Sequence, residues 1–230
     1  MSNSANPVLF RTDDGVDLAG LRCLPSRQPI GAIAMIHGFG EHTGRYQPLH
    51  RALTAAGFAL AAADLRGFGH SPGARGHIER WDDYRCDAAA IVAQAALLAP
   101  GQPVFLFGHS MGGQITPRLI GKVPEKVSAA IITSTIGYFG NRTKEEQEEF
   151  VRKRTAPPPP GTDPIEAQRM VVNSMLGPTS AGPEVDLVRH FASNTPPKSV
   201  QAAVKAVQAY PEADAVAAIK AIKVPVLLVR

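Results

Sequence analysis

VFLFGHSMGGQITPRLI, Val104–Ile120, carries an apolar strand-like run straight into Gly108-x-Ser110-x-Gly112 and leaves it at once as a helix-like run. A serine on so sharp a strand-to-helix turn has a strained backbone, and its hydroxyl is lifted above the end of the sheet. Flanking glycines leave room where a side chain would meet a neighbouring strand. The pentapeptide alone is modest evidence, because G-x-S-x-G recurs as GHSPG at Gly69–Gly73. Context separates the two. Ser71 lies well past the end of its apolar run, and Pro72–Gly73 announces a further turn. Ser71 therefore reads as a loop residue and Ser110 as the candidate nucleophile.

On either side of this stretch, short apolar runs alternate with helix-like ones, which predicts a mainly parallel sheet covered by helices. Strands are expected at Ala32–Ile36, Phe58–Ala63, Val104–Phe107, Ala129–Thr133 and Val224–Val229, and helices at Tyr46–Ala56, Trp81–Leu98 and Met111–Val123. Val8–Arg11 and Val16–Leu24 flank Asp13–Asp14–Gly15, a turn signal for an antiparallel hairpin at the start. The alternation breaks over 137–197, where the charged segment Lys144–Arg154, the run Pro157–Pro160 and the pairs Gly177–Pro178 and Gly182–Pro183 read as a small helical cap. The expected organisation is a core over 1–136, a cap insertion over 137–197, and a return to the core over 198–230 that opens with a helix at Ser199–Tyr210.

Bulk properties exclude several classes. Net charge is +4, from 24 Lys+Arg against 20 Asp+Glu, with the signs mixed and no basic block, so a nucleic-acid partner has no support. The two cysteines, Cys23 and Cys86, lack metal or redox spacing and read as free thiols of a reducing compartment. The N-terminus has no basic-then-apolar leader and no run approaches membrane-spanning length, which predicts a cytoplasmic location. No H-E-x-x-H, Cys/His cluster or phosphate-binding Gly-rich loop occurs, so neither metal nor organic cofactor is implied.

A serine that attacks an acyl carbon also needs donors for the oxygen that becomes negative: the backbone N–H after the serine, here Met111, and one from the loop after an earlier strand. IHGFGEHTGRY, Ile36–Tyr46, supplies such a loop, with Phe39 N–H as the donor. HGFGEHTGRY, ADLRGFGHSPGARGHI and GHSMGG, in this order and spacing, resemble the monoacylglycerol lipase and lysophospholipase branch of the α/β-hydrolases, serine aminopeptidase S33-type enzymes. The resemblance covers Ala32–Ser134 closely and the rest only in general. It implies an α/β-hydrolase fold acting on a small-molecule acyl ester, with Ser110 as nucleophile and Phe39 and Met111 as oxyanion donors. It also implies Glu41 and Arg45 on the loop that faces the polar head of the substrate, and a cap that touches a membrane surface transiently. A solvated or structural Glu41–Arg45 pair is an equal alternative reading.

In this fold the acid and the histidine follow the nucleophile along the chain, the acid just after the strand beyond the cap. That strand is VPVLLV, and Arg230 follows it. After Ser110 the remaining candidates are His190, Asp163, Asp186 and Asp214, and none stands in the expected place. The sequence thus predicts that the last strand and C-terminal helix are missing and that the 230-residue chain is nearly inactive. A fragment of a longer hydrolase, a non-catalytic descendant that binds acyl compounds, and completion by a second chain are the three readings. Peptidase, acyltransferase or haloperoxidase-like chemistry on the same fold is the alternative activity.

Overall fold

A computed structural model of the chain describes residues 6–135, 143–156, 159–175, 181–182, 185–186 and 212–229. The chain divides into one compact unit, Met1–Phe139 with Tyr210–Arg230, and a second, Gly140–Ala209. Among the described residues of the first, seven strands form one sheet: β1 Asn6–Arg11, β2 Asp17–Cys23, β3 Gly31–Ile36, β4 Phe58–Ala63, β5 Val104–His109, β6 Ala129–Thr133 and β7 Val226–Val229, in the spatial order β1-β2-β4-β3-β5-β6-β7. The hairpin β1–β2 is antiparallel and joins β4 antiparallel, whereas β4, β3, β5, β6 and β7 run parallel to their neighbours.

Parallel strands need covered faces, because their crossovers lay helices on both sides. GAIAMI is accordingly buried at every position of β3. Ala32, Ala34 and Ile36 face one cluster with Leu106, Ile91, Ile115 and Leu119, built by α2 (Trp81–Leu98) and α3 (Met111–Ile120). Ile33 and Met35 face the other with Leu60, Leu49 and Leu53, where α1 (Gln47–Ala55) lies. Each fully buried Leu or Ile stabilises the fold by about 1.5–3 kcal/mol relative to exposure. The small side chains of β4, FALAAA, let α2 approach the sheet closely, and the Ala-rich α2 favours helix for the same reason, having little side-chain entropy to lose. The Asp83 carboxylate accepts the Arg80 N–H at 3.0 Å and closes the first turn of α2.

Most strands differ from the sequence expectation by one or two residues at one end or both, and three boundaries differ with a clear local cause. A 3₁₀ turn, Thr43–Tyr46, precedes α1, which starts at Gln47 with Pro48 in its first turn, where a missing N–H costs nothing. Helix α3 ends at Ile120 rather than Val123, because Pro124 bars its predecessor from helical geometry and Val123 sits at φ −136°. Strand β7 begins only at Val226, since Pro225 has no N–H for the ladder, although its carbonyl accepts Ala130 N–H at 2.9 Å.

In the second unit the described residues form α4, Lys144–Thr155, and α5, Pro164–Met175. Thr143 and Glu146 cap α4 reciprocally, and Asp163 accepts the Ile165 and Glu166 N–H groups at the start of α5. Helix α6, Glu212–Lys220, returns to the first unit beside α3. The helix expected at Ser199–Tyr210, and His190, lie outside the described residues. Among those described, no helix is long and apolar enough to cross a membrane.

Candidate active site

Strand β5 ends at His109, α3 begins at Met111, and Ser110 alone makes the turn, at φ 52°, ψ −114°. Left-handed φ in a residue with a side chain costs about 1–3 kcal/mol and persists only where its surroundings hold it. Here the Ser110 N–H donates to Thr133 O at 2.9 Å, tying the turn to β6. Space on both flanks is the second constraint. A Cβ on Gly108 would lie 2.4 Å from Thr116 Oγ1, and one on Gly112 would lie 2.2 Å from Ile36 O, at the end of β3. The two glycines therefore let α3 close down onto the sheet, with Ser110 at the positive end of the helix dipole.

The β3–α1 loop meets this turn. A Cβ on Gly38 would stand 2.9 Å from Ser110 Cβ, so the loop backbone passes directly over the serine. Its conformation is set by its own polar groups together with partners outside it, Leu65 and His109. His37 is fully buried; its Nε2 accepts Leu65 N–H at 2.9 Å, which leaves Nδ1 to donate to Gly38 O at 2.7 Å. Burial holds its pKa below the usual value. Glu41 Oε2 accepts Gly38 N–H at 2.8 Å, the Tyr46 hydroxyl, and His109 Nδ1 at 3.1 Å, while Oε1 accepts Arg45 at 2.5 Å. Burial alone would raise the Glu41 pKa, but the His109 and Tyr46 hydrogen bonds and the Arg45 charge outweigh it and hold the carboxyl down to about 2. Burial and the Glu41 charge push the Tyr46 hydroxyl up.

The loop and elbow residues singled out from sequence thus come together: Ser110 and Met111 on the elbow, and Phe39, Glu41 and Arg45 on the loop above it. Phe39 is half-buried with its ring edge-on to Phe68, 5.2 Å between centroids. Among the described residues no group hydrogen-bonds the Ser110 hydroxyl. His109 is turned to Glu41 and Tyr46, Asp163 caps α5, and Asp214 lies in the first turn of α6. Three participants went unread in the sequence. Tyr46 and His109 complete the Glu41 cluster, and Asp64 accepts Thr43 N–H at 2.7 Å and Thr43 Oγ1 at 2.9 Å, closing the far end of the loop. Only the crowding of polar residues in EHTGRY hinted at such a cluster. Among the described residues no group of His, Cys, Asp and Glu could hold a metal ion.

Comparison with known proteins places this geometry. The chain is 35% identical over 109 residues to a monoacylglycerol lipase of Mycolicibacterium smegmatis, covering 47% of this chain and 39% of that protein. It is 34% identical over 112 residues to human monoglyceride lipase, covering 49% and 37%. The matches thus span about two fifths of those relatives. Among solved structures, an esterase from Exiguobacterium antarcticum superposes with TM-score 0.72 at 18% identity over 97% of this chain and 80% of that one. A 2-hydroxy-6-oxo-6-phenylhexa-2,4-dienoate hydrolase from Rhodococcus gives 0.64 at 17% identity over 98% of this chain and 91% of that one. These likenesses show the α/β-hydrolase fold. The profile of one family, serine aminopeptidase S33, matches residues 27–229, and the chain belongs to that family, in its monoglyceride-lipase-like branch.

Proposed function

We propose that this chain carries the nucleophile and oxyanion hole of a serine hydrolase acting on carboxylic esters of the monoacylglycerol or lysophospholipid kind. Ser110 Oγ attacks the ester carbonyl carbon while its proton passes to a base, and the carbonyl oxygen takes up the negative charge. The Met111 and Phe39 N–H groups receive that oxyanion, helped by the positive end of α3. Collapse expels the alcohol with a proton from the same base, and water then releases the acid by the reverse sequence. No described residue stands as that base. Arg45, more exposed than Glu41 in their ion pair (28% against 7%), is the group of the two that can reach a polar head. The reading also has the cap approach a membrane surface transiently.

The observation that carries the reading is the positive φ of Ser110 at a strand-to-helix turn, directly under the Gly38 backbone. A fluorophosphonate probe tests it. Covalent labelling that disappears in Ser110→Ala and persists in Ser71→Ala supports an activated Ser110. A chain that binds acyl compounds yet never labels would favour a non-catalytic binding protein.

A further inference from the structure

The second pentapeptide, GHSPG, belongs to a segment the proposed chemistry leaves unused, yet Asp64–Ser71 touches the loop above Ser110 at three separate points. Leu65 N–H donates to His37 Nε2 at 2.9 Å. The Phe68 ring stands edge-on to both His37 and Phe39, at 5.6 Å and 5.2 Å between centroids. Asp64 Oδ1 accepts both Thr43 N–H and Thr43 Oγ1, while Oδ2 accepts His70 N–H at 2.8 Å. The segment is itself locked. Ser71 is fully buried, its Oγ donating to Asp64 O and accepting Ala19 N–H from β2 at 2.8 Å. Asp64 and Phe68 are 2% and 5% exposed.

We propose that Asp64 and Phe68 are positioning residues for the oxyanion hole: the segment is a buttress that fixes the Phe39 amide against Ser110. The inference rests on reading Phe39 N–H as an oxyanion donor. A peptide N–H can point at a developing charge only if its plane is held on both sides. Phe68 grips the Phe39 side chain and His37 before it, and Asp64 anchors Thr43 after it. The elbow holds the same loop one residue earlier, where Glu41, bonded to His109, accepts Gly38 N–H; the contacts to Phe39 itself and to Thr43 come from the 64–71 segment. A misplacement of about 1 Å in a catalytic group can cost about a hundredfold in rate.

The test uses the protein as its gene encodes it, with Phe68→Leu, and with Thr43→Val, which removes one Asp64 hydrogen bond and spares the carboxylate if Phe68→Leu does not fold. Amide exchange at Phe39 should quicken at least about tenfold while β3 and β5 amides keep their protection, a readout that needs no turnover. In aryl-ester turnover kcat per titrated site should fall about ten- to a hundredfold at nearly constant KM. The inhibition constant of a trifluoromethyl ketone, whose hemiketal places an oxyanion in the hole, should rise by the same factor. Unchanged Phe39 exchange, or a lowered melting temperature with kcat per site and ketone affinity intact, would show a purely structural segment and overturn the inference. Turnover that survives Ser110→Ala would instead remove the reading beneath it, a result independent of Phe68 and Thr43.

Discussion

GHSPG at Gly69–Gly73 and GHSMG at Gly108–Gly112 differ in one residue of five and do opposite things with their serines. In the first, the glycines bend the chain, with φ 47° at Gly69 and 107° at Gly73, and the serine is sealed in with both its hydrogen-bonding roles used by backbone. In the second, neither glycine has positive φ; the serine does, and the glycines supply only room. The first spends its hydroxyl on stability, and the second leaves its hydroxyl unpartnered among the described residues. What separates them is where each is anchored. Ser110 is gripped between β5 and α3, while Ser71 lies in a loop whose polar groups must be satisfied from inside.

That contrast can be broken most directly in the kinetics. In any preparation that hydrolyses an ester, Ser110→Ala should lower kcat by roughly 10⁵–10⁶ and Ser71→Ala by less than about tenfold. The opposite ranking would reverse the assignment of the two serines.

A smaller effect is expected in acid, on the loop that both segments flank. Glu41 has its pKa lowered from 4.5 to about 2 on folding, so the unfolded chain binds its proton first. The stability it contributes is fully present above about pH 4.5 and is lost as pH falls toward 2, about 3 kcal/mol in all at 1.36 kcal/mol per unit. Glu41→Gln should flatten the urea-unfolding free energy against pH over that window. An unchanged slope would mean the carboxylate is not held as described.

The two serines should also differ in sign when stability is measured. Ser71→Ala leaves the Ala19 N–H without its buried acceptor and should cost about 1–3 kcal/mol, seen as a lower melting temperature. Ser110→Gly relieves the positive φ and should raise stability by about 1 kcal/mol while abolishing labelling. Loss of stability in both would indicate that the elbow is not strained.

Arg45→Ala sharpens the substrate side. If Arg45 meets the polar head, KM for a monoacylglycerol should rise about tenfold, for one hydrogen bond of about 1–3 kcal/mol, with less change for a plain aryl ester. Equal changes on the two substrates would assign Arg45 to the Glu41 cluster alone.

Much of the core was legible before any coordinates. Phe58–Ala63, Trp81–Leu98 and Ala129–Thr133 form as their apolar patterns indicate, because each segment's periodicity reports which faces it must bury. The choice of Ser110 over Ser71 as the elbow serine also rested on local order, an apolar strand meeting a helix with no intervening loop. Prolines 124 and 225 show where such reading slips by two or three residues: one removed N–H or one excluded backbone region outweighs the apolar pattern around it.

What the chain order could not disclose is which polar groups meet. Glu41 and His109 are 68 residues apart, Ala19 and Ser71 52, and Thr43 and Asp64 21. The Glu41–His109 and Thr43–Asp64 pairings exist because the crossovers set β3 between β4 and β5, and the Ala19–Ser71 pairing because β2 lies beside β4. Sequence alone determined the sheet-and-helix alternation and the strained turn at Ser110, since both follow from side-chain periodicity and local sterics. Tertiary structure decided that GHSPG would be sealed and Glu41 buried, because a hydrogen bond needs its partner within about 3 Å, and that proximity is set by strand order rather than by the residues beside it.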